Sequence, residues 1–143
     1  RWDRPGPPEL RRPVPFSILC GMERIVLVVD DSLVARLGMK KILKDSGFSV
    51  AESASGEDAL ERLRAGLSPA AVLLDLTMPG IGGIETLREL KRRTPGLPVL
   101  VVTADIQNRT VEEARAAGAF DVLRKPAERA AVLDALAKAA GSP

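Results

Sequence analysis

The stretch Ala70-Ala71-Val72-Leu73-Leu74-Asp75-Leu76-Thr77-Met78-Pro79-Gly80 decides the fold. Ala71 to Leu74 is an unbroken apolar run of strand length with no polar alternation, which marks a strand buried on both faces. It delivers a carboxylate at its end, and Pro79-Gly80 then turns the chain. The same grammar recurs on either side of it. Ile25 to Val29 runs into Asp30 and Asp31, Val99 to Val102 into Thr103, and Phe120 to Leu123 is followed by Lys125. Phe48 to Glu52 reads as a fifth strand. Segments of helical period fall between, near 33–45, 56–65, 83–93, 107–117 and 127–140. Ser55 with Asp58 three residues on marks a helix start, and Gly47, Gly66 and Gly118 mark helix stops. Strands alternating with helices predict an α/β fold, a parallel sheet covered on both faces and built from five βα units.

Composition narrows the chemistry. The 143 residues suit one domain. No uninterrupted apolar stretch reaches the roughly 18 residues of a membrane-spanning helix, so a soluble protein with no membrane partner is expected. Of the 11 prolines in the chain, Pro5, Pro7, Pro8, Pro13 and Pro15 crowd the first 21 residues, which predicts a disordered Pro/Arg-rich tail over 1–21 and a folded domain over 22–143. Met22 reads as a natural start. Arg1, Arg4, Arg11 and Arg12 against Asp3 and Glu9 account for the whole net charge of +2. The folded part is therefore neutral and lacks the basic footprint of a direct nucleic-acid binder. Cys20 stands alone, which excludes an internal disulfide and suits a cytoplasmic location. Histidine is absent, which excludes Ser-His-Asp and Cys-His catalysis, histidine metal sites and a phosphohistidine on this chain.

Ligands of open α/β sheets bind beyond the carboxyl ends of the strands. Asp30, Asp31, Asp75, Thr103 and Lys125 all fall at such ends. Singly, each has a plain structural reading: a helix cap, a loop opener, a loop hydroxyl, a solvated charge. Together, four of five strands bring a reactive group to one rim. Three adjacent carboxylates repel one another unless a cation neutralises them. An all-oxygen set that shares a phosphate and keeps waters suits Mg²⁺. With the metal present, Asp75 is the carboxylate placed to attack phosphorus, while Lys125 and the Thr103 hydroxyl hold the transferred group. The expected chemistry is phosphoryl transfer to a protein side chain.

These residues resemble the response regulator receiver domains of two-component signalling. The resemblance spans about residues 23–140. It rests on Val28-Val29-Asp30-Asp31-Ser32, Leu74-Asp75-Leu76-Thr77-Met78-Pro79-Gly80, Val102-Thr103-Ala104 and Leu123-Arg124-Lys125-Pro126, in order. It implies a doubly wound, flavodoxin-like sheet of order 2-1-3-4-5 with five helices, phosphorylated on Asp75 by a histidine kinase or phosphotransfer protein. It implies that Asp31, Asp75 and the Thr77 backbone carbonyl ligate Mg²⁺, with Asp30 acting through water, and that Lys125 precedes a cis peptide bond. Phosphorylation would draw in Thr103 and remodel the surface that a downstream protein reads. Such a domain catalyses only its own phosphorylation and dephosphorylation and is not otherwise an enzyme.

One departure stands out. The family usually carries Tyr or Phe three residues before the lysine, and here that position is Val122, in a chain with no tyrosine. The aromatic half of the usual switch is missing. Thr77 and Asp105, each two residues beyond a site residue, stand where the family varies to tune loss of the phosphoryl group. The glycines at 80, 82 and 83 are no nucleotide fingerprint, because Glu85 occupies the third glycine position. Four functions compete: a stand-alone receiver of the chemotaxis type, a receiver cut from a longer regulator, an aspartate-nucleophile phosphatase and a degenerate receiver. The phosphatase class carries Asp-x-Asp at its nucleophile, whereas Asp75 is followed by Leu76 and Thr77. The intact acidic pair, nucleophile, threonine and lysine disfavour the last.

Overall fold

The computed structural model describes residues 24–141 apart from Pro79. The expected tail over 1–21 and the start at Met22 lie outside the described residues. Along the chain run β1 (Ile25–Val29), α1 (Leu33–Asp45), β2 (Ser49–Ser53), α2 (Gly56–Arg64), β3 (Ala71–Asp75), α3 (Gly82–Arg93), β4 (Val99–Thr103), α4 (Asn108–Ala116), β5 (Asp121–Arg124) and α5 (Arg129–Gly141). The five strands form one parallel sheet in the order β2-β1-β3-β4-β5. The doubly wound α/β fold with order 2-1-3-4-5 is thus present as expected.

Local chemistry sets the element ends. Ser32 and Ser55 accept hydrogen bonds from the Ala35 and Asp58 amides and cap α1 and α2. At the end of α1 the Gly47 amide donates to the Lys44 carbonyl and the Phe48 amide to the Leu43 carbonyl, with Gly47 at φ 94°. This is a Schellman closure, which needs a residue at home in the left-handed region. Phe48 is therefore spent on closing the helix, and β2 begins one residue later than its apolar start suggests. Gly66 and Gly118 close α2 and α4 in the same way.

Successive strand residues point to opposite faces, so the sheet has two cores. Leu27, Val29, Val72, Leu74, Val99 and Val101 face α2, α3 and α4 and pack with Ala59, Leu87, Leu90 and Ala114. Val26, Val28, Leu73, Leu100 and Val102 face α1 and α5 and pack with Leu43, Val132, Ala135 and Leu136. Every residue of β3 and β4 is buried, as the unbroken apolar runs require. The strand ends that matter for chemistry are held by this doubly covered centre.

Candidate functional site

Asp30 follows β1 directly, and all of its polar atoms are engaged. Its amide donates to the Ser53 carbonyl at 3.1 Å. Its Oδ1 accepts from the Ser32 amide at 2.9 Å and its Oδ2 from Lys125 Nζ at 2.8 Å. Its carbonyl accepts from the Arg36 guanidinium at 2.6 Å. Asp31, the next residue, is exposed. Asp75 ends β3, only 5 % exposed, with the Thr77 amide donating to its Oδ1 at 3.3 Å and Lys125 Nζ 3.5 Å away. Lys125 sits just past β5, tied by its amide to the Thr103 carbonyl at 2.8 Å, and its peptide bond to Pro126 is cis. Thr103 ends β4, fully buried, and its Oγ1 accepts from the Asp105 amide at 3.1 Å.

The expected residues therefore share one rim. Carboxylate oxygens of Asp30, Asp31 and Asp75 lie within 4.8 Å of one another. Burial pushes the Asp75 carboxyl above its ordinary range and the Asp30 charge pushes it further, against the pull of Lys125 and the Thr77 amide. Burial alone would lower Lys125, but the hydrogen bond to Asp30 and the Asp75 charge outweigh it and raise the amine. One ammonium thus pairs with two of three clustered carboxylates, and the residual repulsion is what a hard cation would relieve. The donor set is all oxygen, which fits a divalent cation of the magnesium type.

Residues beyond the expected site set also steady this rim. Arg36 reaches back over the first turn of α1 to the Asp30 carbonyl, and its Nε donates to Glu52 at 3.1 Å. Glu57 accepts from the Ile81 amide at 3.2 Å, tying α2 to the loop after β3. Gly83 lies so close to that loop that a Cβ would meet the Leu76 Cα and come within 2.7 Å of the Leu76 carbonyl oxygen. Asp105 accepts from the Gln107 amide and from Thr110 Oγ1, fixing the turn after Thr103. Long-range partners of this kind leave no spacing signature, although Asp105 was noted for its place two beyond Thr103. Val122 faces α2, α3 and α4 and packs, half-buried, at the edge of their core.

Comparison with known proteins agrees with this geometry. Residues 26–137 match the model of the response regulator receiver domain. A chemotaxis protein CheY from Thermotoga maritima is 36 % identical over 118 residues, covering 82 % of this chain and 98 % of that protein. The transcriptional activator protein ExaE of Pseudomonas putida is 40 % identical over 113 residues, which are 78 % of this chain and 52 % of ExaE. Among solved structures, the CheX-CheY-BeF3-Mg+2 complex from Borrelia burgdorferi superposes with a TM-score of 0.80 at 28 % identity, covering 85 % of this chain and 92 % of that one. Fold and rim define a flavodoxin-like domain with an acidic pocket at the strand ends. The chain belongs to the response regulator receiver domain family of two-component signalling. Domains of this class are typically signalling modules and not enzymes, and the Asp30, Asp31 and Asp75 cluster here could hold a metal ion. No helix among the described residues is long and apolar enough to cross a membrane.

Proposed function

We propose that this domain accepts a phosphoryl group on Asp75 from a histidine kinase or phosphotransfer protein and signals by changing the surface it offers to a downstream protein. The observation that carries the reading is the placement of Asp75, buried at the end of a fully buried strand, with two further carboxylates and one lysine around it. Asp30, Asp31, Asp75 and the Thr77 carbonyl would hold Mg²⁺, whose charge would offset that gathering on the phosphoryl oxygens. Lys125, already paired with Asp30 and Asp75, is placed to give one donor to the same oxygens. Asp75 supplies the attacking oxygen, and the donor's leaving group takes the bonding pair as the acyl phosphate forms.

The switch would run through Thr103. Its hydroxyl sits at the end of β4, one strand over from Asp75, and moving it toward a phosphoryl group pulls on the Asp105 turn and the start of α4. Val122 offers no ring to follow that motion, so the change rests on the turn itself. The Borrelia neighbour is described as a complex of CheX, CheY, BeF3 and Mg+2. That description supports a protein partner and a magnesium-assisted site here too. Relatives covered almost whole by the match and relatives covered only to about half both occur, so the proposal concerns the receiver activity itself, in a cytoplasmic setting.

Intact mass after incubation with Mg²⁺ and a small acyl-phosphate donor tests the reading. One added phosphoryl group, lost on removing Mg²⁺ and in Asp75→Asn, is the expected result. An unchanged wild-type mass, with phosphorylated kinases as donors as well, would leave a degenerate receiver that binds partners constitutively.

A further inference from the structure

We infer that Arg36 is a positioning residue for the metal pocket, acting through the peptide plane between Asp30 and Asp31. This inference rests on the phosphoacceptor reading above. The carbonyl that Arg36 grips at 2.6 Å belongs to the peptide joining the two acidic residues. Rotating that peptide changes where Asp31 aims its carboxylate, and Asp31 is exposed. The other anchors of Asp30 act elsewhere: its amide is fixed by β2, and its carboxylate by Ser32 and Lys125. The Arg36 side chain therefore holds the peptide plane that the strand and the lysine do not grip.

Arg36 is itself held. Its side chain is 15 % exposed and its Nε is paired with Glu52, which also receives Lys40 at 3.1 Å. The hydrogen bond from Lys40 is the largest cause that keeps Glu52 below the ordinary carboxylate range, with Arg36 contributing. The Arg36 amide also closes the first turn of α1 onto the Ser32 carbonyl. Backbone and side chain thus bind the same short loop from both sides. A guanidinium serves two acceptors in fixed relative directions, which an ammonium on a flexible stem does not.

Simple electrostatics and positioning predict opposite outcomes. Removing a positive charge near three carboxylates would tighten binding of a cation, whereas losing the grip on the Asp30 carbonyl would weaken it. Outer-shell partners of metal ligands are typically worth about 10- to 100-fold in affinity. The whole chain is titrated with Mg²⁺ by calorimetry, and exchange of the Ser32 amide, which donates to Asp30 Oδ1, is followed by NMR without metal. Arg36→Gln is expected to lower Mg²⁺ affinity about 10-fold, and the charge-conserving Arg36→Lys several-fold. Both variants should speed amide exchange at Ser32, with far less change at the α4 and α5 amides. Unchanged or tighter Mg²⁺ binding in Arg36→Lys, or exchange that speeds up evenly over the whole domain, would overturn the inference and leave Arg36 a general stabiliser. Should Arg36→Gln fail to fold, Arg36→Lys decides alone. A wild-type protein that takes up no Mg²⁺ would refute the phosphoacceptor reading separately, and the metal-free exchange would then judge Arg36.

Discussion

The two faces of this sheet are packed to different standards. On the side of α2, α3 and α4, helices approach so closely that a Cβ on Gly56 would run into Thr86, and one on Gly83 into the backbone of Leu76. On the side of α1 and α5 a cavity of about 300 Å³ opens among Val28, Met39, Ile42, Val102 and Pro126, bordered by Asp75 and Lys125. A Cβ on Gly38 of α1 would meet nothing within 4 Å. Small residues line that space: Ala35 and Gly38 on α1, and Ala127 ahead of α5, leave room that larger side chains would fill. Leu33, Val34 and Leu37 on α1 are left 58, 79 and 52 % exposed. The tight face thus fixes the loop that follows Asp75, while the looser one leaves room beside Lys125.

An added methyl group should therefore be penalised on one face and welcomed on the other. The largest effect is expected at Gly83→Ala, where backbone must shift: a loss of about 3 kcal/mol in urea denaturation, together with slower phosphorylation because the loop bearing Thr77 moves. A loss below about 1 kcal/mol would show that the tight face can yield after all. Next is the rim between the faces. Asp75 has a raised carboxyl, so the folded state binds that proton more tightly than the unfolded chain, and its ionised form costs stability. Without Mg²⁺, Asp75→Asn should be more stable than wild type at neutral pH. The difference should appear as pH rises from the ordinary carboxyl range through the raised value, and vanish below that range. A pH-independent difference would mean that repulsion is not its source.

Smaller effects refine the picture. Ser53, 2 % exposed on the tight face, has a hydroxyl with no hydrogen-bond partner. Ser53→Ala should stabilise by about 1 kcal/mol, and a loss of that size would reveal a partner for the hydroxyl. Gly38→Ala, in mid-helix beside the cavity, should add about 0.5–1 kcal/mol by helix propensity alone. A destabilised Gly38→Ala in a thermal melt would mean that the gap is already closed in solution.

Much of this was legible in the chain. Apolar runs ending in Asp30, Asp75, Thr103 and Lys125 announced both the strands and the rim, because a strand buried on two faces must be apolar throughout and can turn polar only where it emerges. The order of the strands came from resemblance to a family, since periodicity says nothing about which strand lies beside which. Boundaries moved by a residue or two for local reasons. Phe48 closes α1, and α5 starts at Arg129, clear of Pro126, not at Ala127. What stayed hidden were contacts made by long side chains across the fold, such as Arg36 to the Asp30 carbonyl and Glu57 to the Ile81 amide, and the difference between the two faces. Both depend on where elements meet, which no spacing along one chain encodes.

Which carboxylate takes the phosphoryl group is the central question. Borohydride reduces an acyl phosphate to an alcohol, so a phosphorylated aspartate becomes homoserine and can be located by peptide mass spectrometry after treatment with donor and Mg²⁺. Homoserine at position 75, and at neither 30 nor 31, is the predicted result. Homoserine at position 30 or 31 with Asp75 intact, or at none of the three in a protein that has gained phosphate, would contradict it.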